Sequence, residues 1–224
     1  MLKQQIETLQ EYTYFDKNCS LHVHFGGFPL TEEYIFNVYR ICYGLQNQLA
    51  CITPKYTFKS SAYKATRKDY CKALPFFTSF DEFYEYMAGI PYFGSLDQPH
   101  PNDLIKERKW NINQRYYFVN FINAICYKSH KTIEFRFIRP TYNINKIFFW
   151  LYIFNAILLA AELNCFSKSL YDLVYSIYPP DVAEMLAVNI KKCELCSNIQ
   201  ANLNDFIGER TDIEDHIFNT SELL

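Results

Sequence analysis

Residues 131–143 read KTIEFRFIRPTYN, and the reading of this stretch decides the fold. From Thr132 to Phe137 the side chains alternate, with Thr132, Glu134 and Arg136 on one side and Ile133, Phe135 and Phe137 on the other. A period of two marks a β-strand with one apolar and one polar face, predicted here over 131–139. Pro140 has no amide hydrogen to offer a ladder and closes the strand. Directly beyond it, residues 147–161 (IFFWLYIFNAILLAA) are almost unbroken apolar sequence between Lys146 and Glu162. A bilayer span needs about twenty such residues, and Asn155 would lie near its middle, so the stretch reads as a buried core helix over about 144–163.

Working outward, RYYFVNF at 115–121 predicts a second strand within 114–125, joined through Tyr127–Lys131 to the first as an antiparallel pair. Residues 18–26, NCSLHVHFG, alternate again: Leu21, Val23 and Phe25 face one way, Ser20, His22 and His24 the other, and Gly26-Gly27 ends the run. Thr31 opens a helix to about Ile52, with Glu32 and Glu33 in the first turn where the helix dipole favours acid. Ser79-Phe-Asp-Glu82 is a capping box for a short helix to Ala88. Residues 2–11 read as a short polar helix, and 89–113 as a loop. The chain after 165 is helical, is broken at Pro179-Pro180 and ends in an acidic tail. The expected architecture is α+β, with an antiparallel sheet carrying helices 31–52 and 144–163 on one face. His22, Glu134 and Arg136 lie on the other face, outside the predicted core. Residues 1–165 form the main domain, and 166–224 a helical extension packed on it.

Composition narrows the function. The 224 residues carry 22 basic and 24 acidic side chains, a net charge of −2, and are 50% apolar. Such a chain buries a core. It lacks the cationic excess of a protein that coats DNA or RNA, so no nucleic-acid partner is expected, and no membrane. Eight cysteines are scattered through a core-rich chain whose first residues, MLKQQIETLQEY, have no secretory character. They read as reduced thiols in a cytoplasmic protein. Cys193 and Cys196 form a lone CxxC without a second pair.

Three groups of residues could carry chemistry. His22 and His24, two apart on a strand, project to one face and could share a metal or phosphate, or could be no more than a solvated pair. Glu134 and Arg136 could be an ion pair worth at most about 1 kcal/mol if exposed. They could equally supply an oxygen ligand for Mg²⁺ and a fork for phosphate. Residues 55–72 are basic, with Lys55, Lys59, Lys64, Arg67, Lys68 and Lys72 against Asp69. That run could be a solvated loop, or could neutralise a polyphosphate with Arg67 as the bidentate donor.

SLHVHFG followed about a hundred residues later by RYYFVNF, KTIEFRFIRPTYN and an apolar helix resembles the glutamine synthetase and glutamate–cysteine ligase group of carboxylate–amine ligases. The amidoligases are the closest likeness. The resemblance covers roughly 18–165, and Arg67-Lys-Asp-Tyr-Cys71 adds a less specific match. It implies a curved antiparallel sheet of the glutamine synthetase catalytic type. It also implies ATP and Mg²⁺ as cofactors, and a small-molecule or peptide carboxylate and an amine as substrates. In its terms His22 and Glu134 would be metal ligands, and His24 would lie near the nucleotide phosphates. Arg136 would stabilise the phosphoryl group in flight. Arg115 would serve catalysis, while Arg67 and Asn120 would face the nucleotide.

One departure matters. Members of the group carry a strand with Glu-x-Glu upstream of the His-x-His strand, and no Glu-x-Glu occurs in this sequence. The expectation is therefore an incomplete metal site and a sheet lacking its first strands, in a fragment, one half of a split enzyme, or a degenerate relative used for binding or assembly. A partner chain supplying the strand, or a homo-oligomer, would follow from such an open edge. A metal-dependent hydrolase is a third reading, since strand-borne His-x-His also occurs in amidohydrolase barrels. Those need further ligands, and only His100, His130 and His216 remain.

Overall fold

Among the described residues the sheet has three strands, β1 (Leu21–Phe25), β2 (Val119–Asn120) and β3 (Ile133–Ile138), in the order β1-β3-β2 and antiparallel throughout. The structure, a computed structural model, describes residues 2–13, 21–53, 72–89, 91–96, 116–125, 131–138 and 140–207. Among these, seven helices accompany the sheet, which makes the fold α+β. All six residues of β3 are buried, as a central strand demands, whereas β1 alternates between half-buried apolar and exposed His positions. This corrects the expectation that Glu134 and Arg136 lie outside the core. On this face the side chains of His22, His24, Asn120 and Tyr116 lie against Glu134 and Arg136 and take them out of water.

The apolar face of β3 is packed by α5 (Ile144–Glu162). Phe135 stacks on Phe154 with ring centroids 4.1 Å apart, and Phe137 meets Trp150 edge to face at 5.2 Å. Phe25 of β1 reaches the same Phe154 ring at 6.3 Å. Asn143 caps α5 by accepting from the amides of Asn145 and Lys146. By length and hydropathy α5 could cross a membrane. Here it is the core helix, lying against the sheet, α2 (Glu32–Cys51) and α6 (Leu170–Ile177). Its low amphipathicity follows from being covered on several sides.

Local signals place the other helices. Thr31 caps α2 by accepting from the Tyr34 amide, and Ser79 caps α3 (Phe80–Ala88) by accepting from the Glu82 amide. In return, the Glu82 carboxylate accepts from Thr78, through both its amide and its hydroxyl, one residue earlier than a standard capping box. Gly89 ends α3 with φ of 69°, a conformation that costs glycine little. Pro180 begins α7 (Pro180–Ile207), where its missing amide hydrogen has no partner to lose. The polar helix expected at the N-terminus is α1 (Leu2–Tyr12).

Side-chain amides and the Tyr39 hydroxyl of α2 tie the pieces together. Gln48 donates to the Lys168 carbonyl and accepts from the Leu170 amide, which seats the start of α6. Gln46 accepts from the Leu74 amide. The Tyr39 hydroxyl donates to the Pro75 carbonyl and accepts from the Phe77 amide. Asn37 donates to the Ala161 carbonyl and to Asn164 Oδ1, which receives the end of α5.

The expected strand over 114–125 is shorter than its composition suggests. Only Val119 and Asn120 pair with β3, and a separate parallel bridge joins Lys72 to Tyr117. The chain then turns into α4 (Ile122–Ile125). Asn120 is the cause: its side-chain oxygen accepts from the Ile122 amide, an Asx turn that takes the backbone out of the ladder. Residues 127–130 of the expected turn, most of the 89–113 loop, most of the basic stretch and the chain beyond 207 lie outside the described residues.

Candidate functional site

Register brings five polar side chains together. His24 of β1 and Asn120 of β2 stand opposite the same residue of β3, Glu134, from its two sides. Arg136 lies two residues along on the same face. The pairing of β1 with β3 is irregular between Leu21 and Val23, so that His22 falls in the break. Such irregularities re-aim a side chain, and His22 reaches Glu134 as well.

Glu134 is the centre. His22 Nδ1 lies 2.7 Å from Glu134 Oε1, Arg136 Nε lies 3.4 Å from the same oxygen, and His24 Nε2 lies 3.7 Å from it. Asn120 Nδ2 donates to the other oxygen, Oε2, at 2.7 Å. Burial pushes this carboxyl's pKa upward, but the hydrogen bonds from His22 and Asn120 and the charges of Arg136 and His24 outweigh it and hold the pKa at about 2. Glu134 is therefore ionised at neutral pH in a site where its side chain is only 6% exposed.

The ring of donors is layered by exposure. The His22 and His24 side chains are 34% and 46% exposed, while that of Arg136 is 9% exposed. A ligand approaching the sheet meets the imidazoles first, with the guanidinium behind them. With both imidazoles neutral, Glu134 and Arg136 cancel, and each proton added to a ring makes the cluster more cationic. The sequence pattern named the two His, Glu134 and Arg136, and all four meet. Asn120 joins them, buried and donating to Glu134. Arg67 and Arg115 lie outside the described residues.

Two contributors escaped the sequence reading. Thr132 Oγ1 lies 3.3 Å from His24 Nδ1, and the Tyr116 ring lies under the Arg136 guanidinium at 5.6 Å. Thr132 could have been found, since it shares the polar face of the strand at two residues from Glu134. Tyr116 could not, because it precedes β2 in irregular chain whose facing has no period.

The residues of this site do not fit a resident Mg²⁺. That ion takes six oxygen donors at short distance. The cluster offers one carboxylate, both of whose oxygens already accept from the protein, and a guanidinium faces the same oxygen that a cation would need. Among the described residues no group of three or more His, Cys, Asp or Glu side chains is arranged to hold a metal. Cys42, Cys51 and Cys165 carry free thiols, and they, like Cys193, stand apart from the cluster in sequence, on α2, after α5 and on α7.

No protein-family model, no curated protein and no solved structure matches this chain.

Proposed function

We propose that the polar face of this sheet is the acyl-activating site of an ATP-dependent carboxylate–amine ligase of the amidoligase type, on a sheet related to the glutamine synthetase catalytic fold. One observation carries the reading. Side chains from three strands, the first about a hundred residues of chain before the other two, converge on a single buried and ionised carboxylate. Gathering charge away from water costs several kcal/mol per ion, and such clusters concentrate where chemistry is done.

A carboxylate is a poor acyl donor until its oxygen is phosphorylated. In the first half-reaction the substrate carboxylate attacks the γ-phosphorus of ATP, which arrives with its own Mg²⁺, and ADP leaves with the bond electrons. In the second, an amine nitrogen attacks the acyl carbon and inorganic phosphate departs. No serine or cysteine nucleophile is required. His24, the most exposed member of the cluster, is the group placed to meet phosphate oxygens, with Arg136 adding positive charge from beneath. Arg67 and Arg115 are proposed to extend this cationic surface.

A second reading is a ligase-like module that binds nucleotide without turnover. It is favoured by the saturation of Glu134, the one carboxylate in the cluster, by the protein's own donors. Calorimetric titration with ATP, with and without Mg²⁺, tests both, run beside His24→Ala, whose exposed ring can be removed without disturbing the core. Binding that weakens about tenfold or more in the variant, together with ADP release when carboxylate and amine mixtures are added, supports the ligase. Binding without ADP release supports the module. Equal binding by parent and variant removes the site from both.

A further inference from the structure

We propose that His22, held by Glu134, is the proton acceptor for the attacking amine, a catalytic residue rather than a metal ligand. The two histidines look alike in sequence but are not equivalent in space. His22 Nδ1 is at hydrogen-bonding distance from Glu134 Oε1, 2.7 Å, whereas His24 Nε2 stands off at 3.7 Å and its Nδ1 is near Thr132 instead. An ionised carboxylate has only lone pairs to offer, so the hydrogen between Glu134 and His22 belongs to the imidazole. That fixes the neutral ring in the Nδ1–H form and places its basic lone pair on Nε2.

The carboxylate is itself fixed. Asn120 donates to Oε2 at 2.7 Å, and the Asn120 oxygen accepts from the Ile122 amide at 3.0 Å. Because a backbone N–H can only donate, this second bond decides which end of the Asn120 amide faces Glu134. A backbone amide thus orients an amide, which orients a carboxylate, which orients an imidazole. The order runs from buried to exposed, since Glu134 is 6% exposed and His22 34%. It is the arrangement by which a buried acid makes a solvent-side imidazole an effective base. Among the described residues, Arg136 and His24 are charged or titratable groups that face the His22–Glu134 contact. Once His22 takes a proton, Glu134 balances it at contact distance, while Arg136, 3.4 Å from the same oxygen, opposes it.

The step rests on the ligase reading for its nucleophile. The amine lone pair forms the C–N bond at the acyl carbon, and the proton on that nitrogen passes to His22 Nε2. The C–O bond to phosphate breaks with its electrons remaining on phosphate. The imidazolium then gives its proton to water.

Two measurements on the full chain test it, and neither needs ATP, so they can fail independently of nucleotide binding. Long-range ¹H–¹⁵N spectra of the labelled protein should show His22 in the Nδ1–H form, and Glu134→Gln should abolish that preference. Acyl transfer from p-nitrophenyl acetate to hydroxylamine should fall about tenfold or more in His22→Gln and should be slower in D₂O. An Nε2–H ring in the parent, an unchanged rate in His22→Gln, or a rate indifferent to D₂O would overturn the assignment. Near-UV circular dichroism of each variant separates lost chemistry from lost fold.

Discussion

A carboxylate with 6% of its side chain exposed stays charged only while its partners hold it, and Glu134 has partners on both oxygens. Removing the acid should therefore be costly. Glu134→Ala removes the negative charge that the buried Arg136 guanidinium meets at 3.4 Å, for an expected loss of about 3–5 kcal/mol. Glu134→Gln keeps the shape and an acceptor and should lose less. The acid response follows from the same contacts. The folded-state pKa is about 2, against an ordinary value of 4.5. The stabilisation from ionised Glu134 is thus complete above about pH 4.5 and disappears as pH falls from there through 2. Its ceiling is about 3 kcal/mol, since each tenfold gain in acid strength on folding is worth about 1.4 kcal/mol. Urea unfolding of parent and Glu134→Gln at pH 7, 4 and 3 should give a stability gap that narrows with each step. A constant gap would mean that the carboxyl is not held ionised. The sequence identified this residue by alternation alone. Alternation assigns a face but not a depth, so it placed Glu134 on an open surface when the flanking strands enclose it.

At the scale of elements, legibility tracks how local the cause is. Thr31, Ser79 and Asn143 cap α2, α3 and α5 through bonds to amides two or three residues away, so the starts of these helices could be read from a few adjacent letters. β2 could not, because RYYFVNF has strand composition, and it takes the Asn120–Ile122 turn to stop the ladder after two residues. Tertiary packing rather than propensity then decides how much each element is worth. Phe154 of α5 is fully buried and touches Phe25, Phe135, Phe137 and Trp150, so it joins one helix to two strands. Phe154→Ala should cost about 3–5 kcal/mol, through lost burial and the cavity left behind. Ser79→Ala should cost only about 1 kcal/mol. Chemical denaturation of the two variants should preserve this order, and a reversal would mean that α5 is not seated on the sheet.

The whole molecule raises the question of where its folding unit ends. The expected division set a domain over 1–165, with 166–224 as a helical extension packed on the same domain. The core is continuous across it. Leu170, Leu173 and Val174 of α6 and Leu186, Ile190 and Cys193 of α7 are buried in the same cluster as α2, α5 and the sheet. Gln48 of α2 holds the start of α6 through both ends of its amide. Deleting 166–224 would expose the apolar side of α2 and α5 that these residues cover and leave Gln48 without either partner. At roughly 25 cal/mol per Å² of apolar surface, a few buried leucines and isoleucines outweigh the marginal stability of a domain this size. The fragment 1–165 should therefore lack a cooperative thermal transition. The 224-residue chain should unfold in one step, with far- and near-ultraviolet dichroism changing together. Two separated transitions in the full chain, or a sharp one in the fragment, would place the boundary after α5. The polar face would then be built by a smaller unit, and α6 and α7 would be dispensable for its chemistry.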